Sequence, residues 1–140
     1  MIVVDTNVVS YLLIEGENTS LAQDIYRRDK IWLLPPIWRH EFLNVISSYI
    51  RFGGISEKVG RECWTRGIAM FGGIERETDM LKALGLSVNM GISAYDAQYV
   101  VLAREMQTRL ITEDRKLLAA FPDLAQSMEG CLNAANPKGL

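Results

Sequence analysis

Apolar residues follow two rhythms along this chain. Short aliphatic runs at residues 2–4 (IVV), 31–34 (IWLL) and 109–112 (RLIT) are too brief for helices and too uniformly apolar to turn one face to water. They predict strands covered on both sides. Between them the apolar positions recur every three or four residues, the spacing of a helix with one buried stripe. This rhythm predicts helices over 8–14, 19–28, from Ile37 to Ile50, from Ser56 to about Phe71, and over 78–86, 93–106 and 115–121. Pro35-Pro36 stops the second strand, because proline brings no donor to a ladder. Gly53-Gly54 and Gly72-Gly73 close the two longest helices, which form a helical hairpin inserted between strands. Gly85 closes the helix at 78–86, Pro122 ends the last one, and Ile74-Glu75 reads as a brief further strand. Beyond Cys131 the chain turns to Asn, Ala, Pro and Gly, and from about residue 132 it is expected to be the least ordered part.

Strands alternating with helices, with strands apolar on both faces, predict an α/β fold: a central parallel sheet between two helical layers. The chain has 140 residues, 49% of them hydrophobic, with no internal repeat or linker, which fits one domain over residues 1–140. Such a domain buries roughly two thirds of its unfolded surface and needs neither disulfide nor structural zinc. Cys63 and Cys131 stand alone, in no ligand spacing, and read as buried thiols of a reducing compartment. No apolar stretch approaches the roughly 20 residues of a membrane span. Asp5 falls where a signal peptide would be basic. A cytoplasmic location is therefore expected.

In a parallel α/β sheet, ligands collect beyond the carboxyl ends of the strands. Asp5 follows the first strand and Asp114 follows RLIT, with Thr112 two residues before it. Glu41 lies in the first turns of the helix after the second strand, and Asp96 in the first turn of the helix before RLIT. Each has an ordinary structural reading. Asp5 or Thr6 would cap the first helix, Ser93 and Asp96 have the form of a capping box, and Asp114 would cap the helix that follows it. Glu41 stands at the margin of its helix's apolar stripe, where a carboxylate needs a partner or a cation. Together, four carboxylates at one sheet edge would raise one another's pKa unless a hard divalent ion sat among them. Oxygen ligands without His or Cys point to Mg²⁺ or Mn²⁺, and such sites hydrolyse phosphodiesters by activating water.

These same blocks carry a resemblance. IVVDTNVV, HEFLNVI around Glu41, ISAYDAQYVVLA around Asp96 and LITEDRKLL around Asp114 resemble the motifs of PIN-domain nucleases, most of all the small toxins of VapBC toxin–antitoxin systems. The likeness covers about residues 1–121, and the T-x-D of Thr112 and Asp114 strengthens it. It implies a three-layer αβα PIN-like domain, an endoribonuclease dependent on one or two Mg²⁺ or Mn²⁺ ions, a homodimer, and a small DNA-binding antitoxin. Residue by residue, Asp5, Glu41, Asp96 and Asp114 match the metal-binding acids. Thr6 and Thr112 match hydroxyl positions that orient ligands or water, and Asn7 completes the D-T-N turn. Where some relatives place another acid or amide soon after the last aspartate, this chain has Arg115, Lys116 and Leu117.

The net charge of −2 argues against a binder of nucleic acid driven by protein charge. Two divalent ions, four positive charges, would carry the net to +2, and a bound ion is the dominant local charge in such a site. Three other readings stay open on the sequence. They are a housekeeping RNA-processing nuclease without antitoxin, a phosphotransferase phosphorylated on Asp5, and a binding module whose acids only cap helices. Arg39 and His40, beside Glu41, are candidates for RNA contact, although a solvated helix face with His40 as a packing residue accounts for them better. Arg115 and Lys116 are placed to steady a scissile strand. Trp32, Trp38 and Trp64 read as core or interface residues, and Tyr11 and Trp38 as reasonable antitoxin contacts.

Overall fold

A computed structural model describes residues 1–134 of the chain. Four parallel strands form its sheet: β1 (Ile2–Val4), β2 (Trp32–Leu33), β3 (Leu110–Ile111) and β4 (Ala125–Gln126), in the order β2-β1-β3-β4. Val3 pairs with Leu33 on one side and with Leu110 on the other, so β1 is a central strand. Ile2, Val3, Val4, Trp32, Leu33, Leu110 and Ile111 are all buried, as their uniform apolarity predicts. The brief strand expected at Ile74-Glu75 is reduced to a single parallel bridge between Leu34 and Glu75.

Helices cover both faces. The connection from β1 to β2 carries α1 (Thr6–Leu13) and α2 (Thr19–Arg28), and the connection from β2 to β3 runs back past β1 in the opposite direction. Right-handed crossovers that proceed in opposite directions put their helices on opposite faces. The second connection holds α3 (Trp38–Arg51), α4 (Glu57–Phe71), α5 (Met80–Met90) and α6 (Ala94–Glu105), with α6 lying against β1 and β3. Last come α7 (Arg115–Ala120), β4 and α8 (Met128–Ala134). The hairpin α3–α4 packs back on α1, and its own two helices are joined by an aromatic cluster in which Phe42 stacks between Trp38 and Trp64. Trp32 and Trp38 are wholly buried, and Cys63 and Cys131 are buried free thiols.

Gly85 does not close its helix. Asp79 caps α5 by accepting from the Leu81 and Lys82 amides, and the helix runs through Gly85 to Met90. It ends at Gly91, whose φ of 68° is the left-handed conformation that glycine adopts most readily. A helical glycine costs about 1 kcal/mol relative to alanine, too little to break a helix held by packing. Here Ala83 and Leu86 pack on Ala97 and Val101 of α6. A β-carbon at Gly85 would meet nothing within 4 Å. Gly85→Ala is therefore expected to raise stability by about 0.5–1 kcal/mol in urea melts; a loss would show that α5 needs the glycine.

The sequence reading also lacks β4 and α8. Thr112 donates its amide to the Gln126 carbonyl at 2.9 Å, and Met128 and Cys131, one turn apart, bury α8 against the body of the domain. Helix α8 thus carries Leu132 to Ala134, and the remainder of the tail expected to be least ordered lies outside the described residues. Among the described residues no helix is long and apolar enough to cross a membrane.

Candidate active site

A crossover helix runs antiparallel to the strands it connects, so helices that follow or precede a strand in this fold start at the sheet's carboxyl edge. The four acids converge for this reason. Asp5 leaves β1 in extended backbone (φ −84°, ψ 171°) and caps α1, its Oδ1 accepting from the Val8 amide at 3.1 Å. Glu41 sits in the first turn of α3, Asp96 in the first turn of α6, and Asp114 caps α7. With Thr6, Asn7, Asn44, Val45 and Tyr99 they line one cleft of about 220 Å³. Four helix N-termini meet there, and each favours negative charge nearby.

Hydroxyl groups set the positions of two of the acids. Thr112, fully buried, donates to Asp5 Oδ2 at 2.5 Å and accepts from the Asp114 amide at 3.0 Å, tying the ends of β1 and α7 together. Asp114 Oδ1 in turn accepts from the Lys116 and Leu117 amides at 2.8 and 3.1 Å. Across the cleft, Glu41 Oε1 accepts from the Thr6 hydroxyl at 3.0 Å and from the Tyr99 hydroxyl at 2.6 Å. On α6 the capping is done by the Ser93 hydroxyl, which accepts from the Asp96 amide at 3.0 Å, and the Asp96 carboxylate lines the cleft. Capping and cleft-lining are therefore compatible roles.

Charge is strained here. Burial pushes Asp5 up to about 6, opposed by its bonds from Thr112 and Val8 and reinforced by the charges of Asp96 and Glu41. Burial likewise raises Asp96, with further upward pressure from Asp114 and Glu41, while Ser93 and Lys116 hold it down. Tyr99 lies well above the usual tyrosine range because it is buried and faces Glu41, so its hydroxyl stays a donor. Carboxylates raised by burial and by one another are what a cation relieves. Among the described residues no three such side chains stand close enough to cage an ion by themselves. Mg²⁺ keeps several of its waters and is commonly bound through one or two carboxylates. An all-oxygen set with room for water fits a hydrated ion of that kind. No hydrogen bond among the described residues reaches Glu41 Oε2 or Asp114 Oδ2.

Asn7 is exposed at the cleft wall, as its place in the D-T-N turn suggests. Two lining residues escaped the sequence reading, Asn44 and Tyr99. Each stands three residues after an acid on the same helix, Asn44 after Glu41 and Tyr99 after Asp96, and that spacing stacks side chains on one helical face. The signal was present but unweighted. Arg39 is committed elsewhere: its guanidinium grips Glu75 with both arms at 2.6 and 2.9 Å, and Trp38 Nε1 donates to the same carboxylate. His40 is exposed and does not line the cleft. Trp38, at 0% exposure, offers no surface to a partner, whereas Tyr11 is half-buried.

Comparison with known proteins agrees with this architecture. Ribonuclease VapC3 of Pyrobaculum aerophilum is 27% identical over 128 residues, which span 88% of this chain and 96% of the relative. The crystal structure of PAE2754 from the same organism superposes with a TM-score of 0.77 at 20% identity, covering 97% of this chain and 96% of that one. FitAcB from Neisseria gonorrhoeae superposes with a TM-score of 0.68 at 17% identity, over 92% of this chain and 99% of the other. At these identities the two structures speak for the fold. The PIN domain model matches residues 2–123, a span that contains the whole sheet edge from β1 to Asp114, and the chain belongs to the PIN-domain family.

Proposed function

We propose that this protein is a Mg²⁺- or Mn²⁺-dependent endoribonuclease and the toxin of a type II toxin–antitoxin pair. The observation that carries the reading is the convergence of Asp5, Glu41, Asp96 and Asp114, from four separate elements, on one cleft at the carboxyl edge of a parallel sheet. Membership of the PIN family and the likeness to a relative named as a ribonuclease point the same way.

In this reading the four acids hold one or two ions, and Thr112 fixes Asp5 relative to Asp114. A bound ion of this class supplies a nucleophile at neutral pH and stabilises the charge that builds on the phosphate. The chain's own part is to orient and to attract. A second cleft of about 460 Å³ shares Asp96 and Asp114 with the first and is lined by Arg115 and Lys116, which would meet the phosphates of a strand threaded past the acids. The only histidine, His40, stands outside the cleft, so the reading assigns no histidine as general base. Homodimerisation and a small DNA-binding antitoxin follow from the resemblance to VapBC toxins.

Incubation with a mixed RNA pool, with and without chelator, tests the activity. Internal cleavage that requires Mg²⁺ or Mn²⁺ and stops with chelator is the expected result; cleavage indifferent to chelator, or none with either ion, defeats the reading. Co-expression with any small open reading frame that adjoins its gene tests the toxin role. A tight complex is expected, and a protein that purifies alone favours a housekeeping nuclease.

A further inference from the structure

We infer that Tyr99, together with Thr6, is a positioning residue that fixes Glu41 for metal binding; the inference rests on the nuclease reading above. Glutamate has one more side-chain torsion than aspartate, so of the four acids Glu41 has the most freedom to lose before it can present an oxygen at a defined point. It is also the acid contributed by α3, the helix of the inserted hairpin, and Thr112, which bonds Asp5 and the Asp114 amide, does not reach it. Its order has to come from elsewhere.

Two hydroxyls from two other helices supply it. Thr6 opens α1 and Tyr99 belongs to α6, and both hydroxyl oxygens lie within hydrogen-bond distance of the same carboxylate oxygen, Oε1, at 3.0 and 2.6 Å. The two hydroxyls also hydrogen-bond each other at 2.5 Å; with one proton each, one donates to Oε1 while the other donates to Oε1 or to its fellow hydroxyl, and three groups from three helices meet in one triangle. Each hydroxyl is carried by a side chain that its surroundings hold in place. The Tyr99 ring is 1% exposed in the main core, and only its hydroxyl reaches the cleft. Thr6 is β-branched and buried, and its carbonyl is held by the Ser10 hydroxyl at 2.9 Å.

A buried tyrosine needs only one acceptor to be satisfied. Satisfaction alone does not explain why two hydroxyls converge on one oxygen of an acid while, among the described residues, no hydrogen bond reaches the other. A clamp on Oε1 that leaves Oε2 for a ligand does explain it. Hydrogen-bonded outer partners of this kind fix the orientation of ligating carboxylates.

Tyr99→Phe keeps the buried ring and removes the hydroxyl; Thr6→Val keeps the branched shape and removes the other. The full chain and both variants are titrated with Mn²⁺ alone, without RNA, following the melting temperature and the free-ion EPR signal. Tyr99→Phe is expected to bind Mn²⁺ roughly 10- to 100-fold more weakly, with Thr6→Val showing a smaller loss in the same direction. In RNA cleavage at limiting metal, kcat should fall in Tyr99→Phe while KM for RNA holds, and raising Mn²⁺ should restore kcat. A residue important only to packing would lower the metal-free melting temperature without that restoration. Should Tyr99→Phe fold poorly, Thr6→Val provides the same test from α1. Wild-type protein that binds Mn²⁺ alongside variants that bind it equally well overturns the clamp and leaves the nuclease reading intact. Wild-type protein that does not bind Mn²⁺ overturns both.

Discussion

Asp5→Asn is expected to give a protein that no longer cuts RNA yet, in chelator above about pH 6, is more stable than the parent. The acid is buried and held by the Val8 amide and the Thr112 hydroxyl, but these bonds do not offset its desolvation, and its pKa stands at about 6 against an ordinary 3.8. A carboxylate raised in the folded state contributes its full stability below the unfolded pKa and loses that contribution as pH climbs through the folded one. The window for Asp5 is therefore about pH 4 to 6, and at neutral pH the ionised group weighs on the fold by an order of 3 kcal/mol. Asparagine removes the charge and keeps the shape. Its NH₂ must face one of the two former donors, so the net gain should be smaller, about 1–3 kcal/mol. Below about pH 4 the parent side chain is neutral in both states, so the advantage of asparagine should vanish and any cost of its misplaced NH₂ should leave it the less stable of the two. Activity moves the other way. If Asp5 is the metal ligand proposed above, its removal takes away charge stabilisation that the other acids cannot replace, and a fall of at least roughly 10²–10³-fold is expected. Full Mg²⁺-dependent cleavage by Asp5→Asn, or by Asp96→Asn, would show that the acids are helix caps and nothing more.

How much of this was legible in the sequence depended on how local the governing physics is. The strands at residues 2–4, 31–34 and 109–112 announce themselves because a short run with a wholly apolar centre has few other places to go. The acids were legible because position at a strand end or in a first helical turn is a one-dimensional property, and the crossover rule converts it into shared space. Local signals failed where tertiary contact decides. The strand β4 has two residues and exists because the edge of β3 offers it partners through Leu110 and Thr112. The Gly85 stop gave way to packing on α6. Arg39 looked available beside Glu41, yet its partner Glu75 lies across the hairpin connection, beyond any local spacing rule. Tyr99 drew no reading from the sequence; its ring is core, and only the hydroxyl belongs to the cleft.

Saturating Mg²⁺ or Mn²⁺ should raise the melting temperature at neutral pH and leave it unchanged below about pH 4. Asp5 and Asp96 both sit above the ordinary aspartate range, through burial first and then through neighbouring charge, that of Asp96 and Glu41 on Asp5 and that of Asp114 and Glu41 on Asp96. An ion that binds the ionised forms relieves the cost that burial and repulsion impose on them, and it competes with protons for the same oxygens. At a free concentration of about 100 times Kd the linkage gives about 2.7 kcal/mol. At about 3–5 °C per kcal/mol for a domain of this size, that is a rise of roughly 8–13 °C. Near pH 6 binding should also release protons, visible in calorimetry as a heat that changes with the ionisation enthalpy of the buffer. Asp5→Asn should lose both the thermal rise and the released proton, because the group that exchanges a proton for the ion has gone. A wild-type protein indifferent to both ions across this range would mean that its four acids lower their mutual repulsion some other way, and the cleft would have to be assigned a cationic ligand other than a metal.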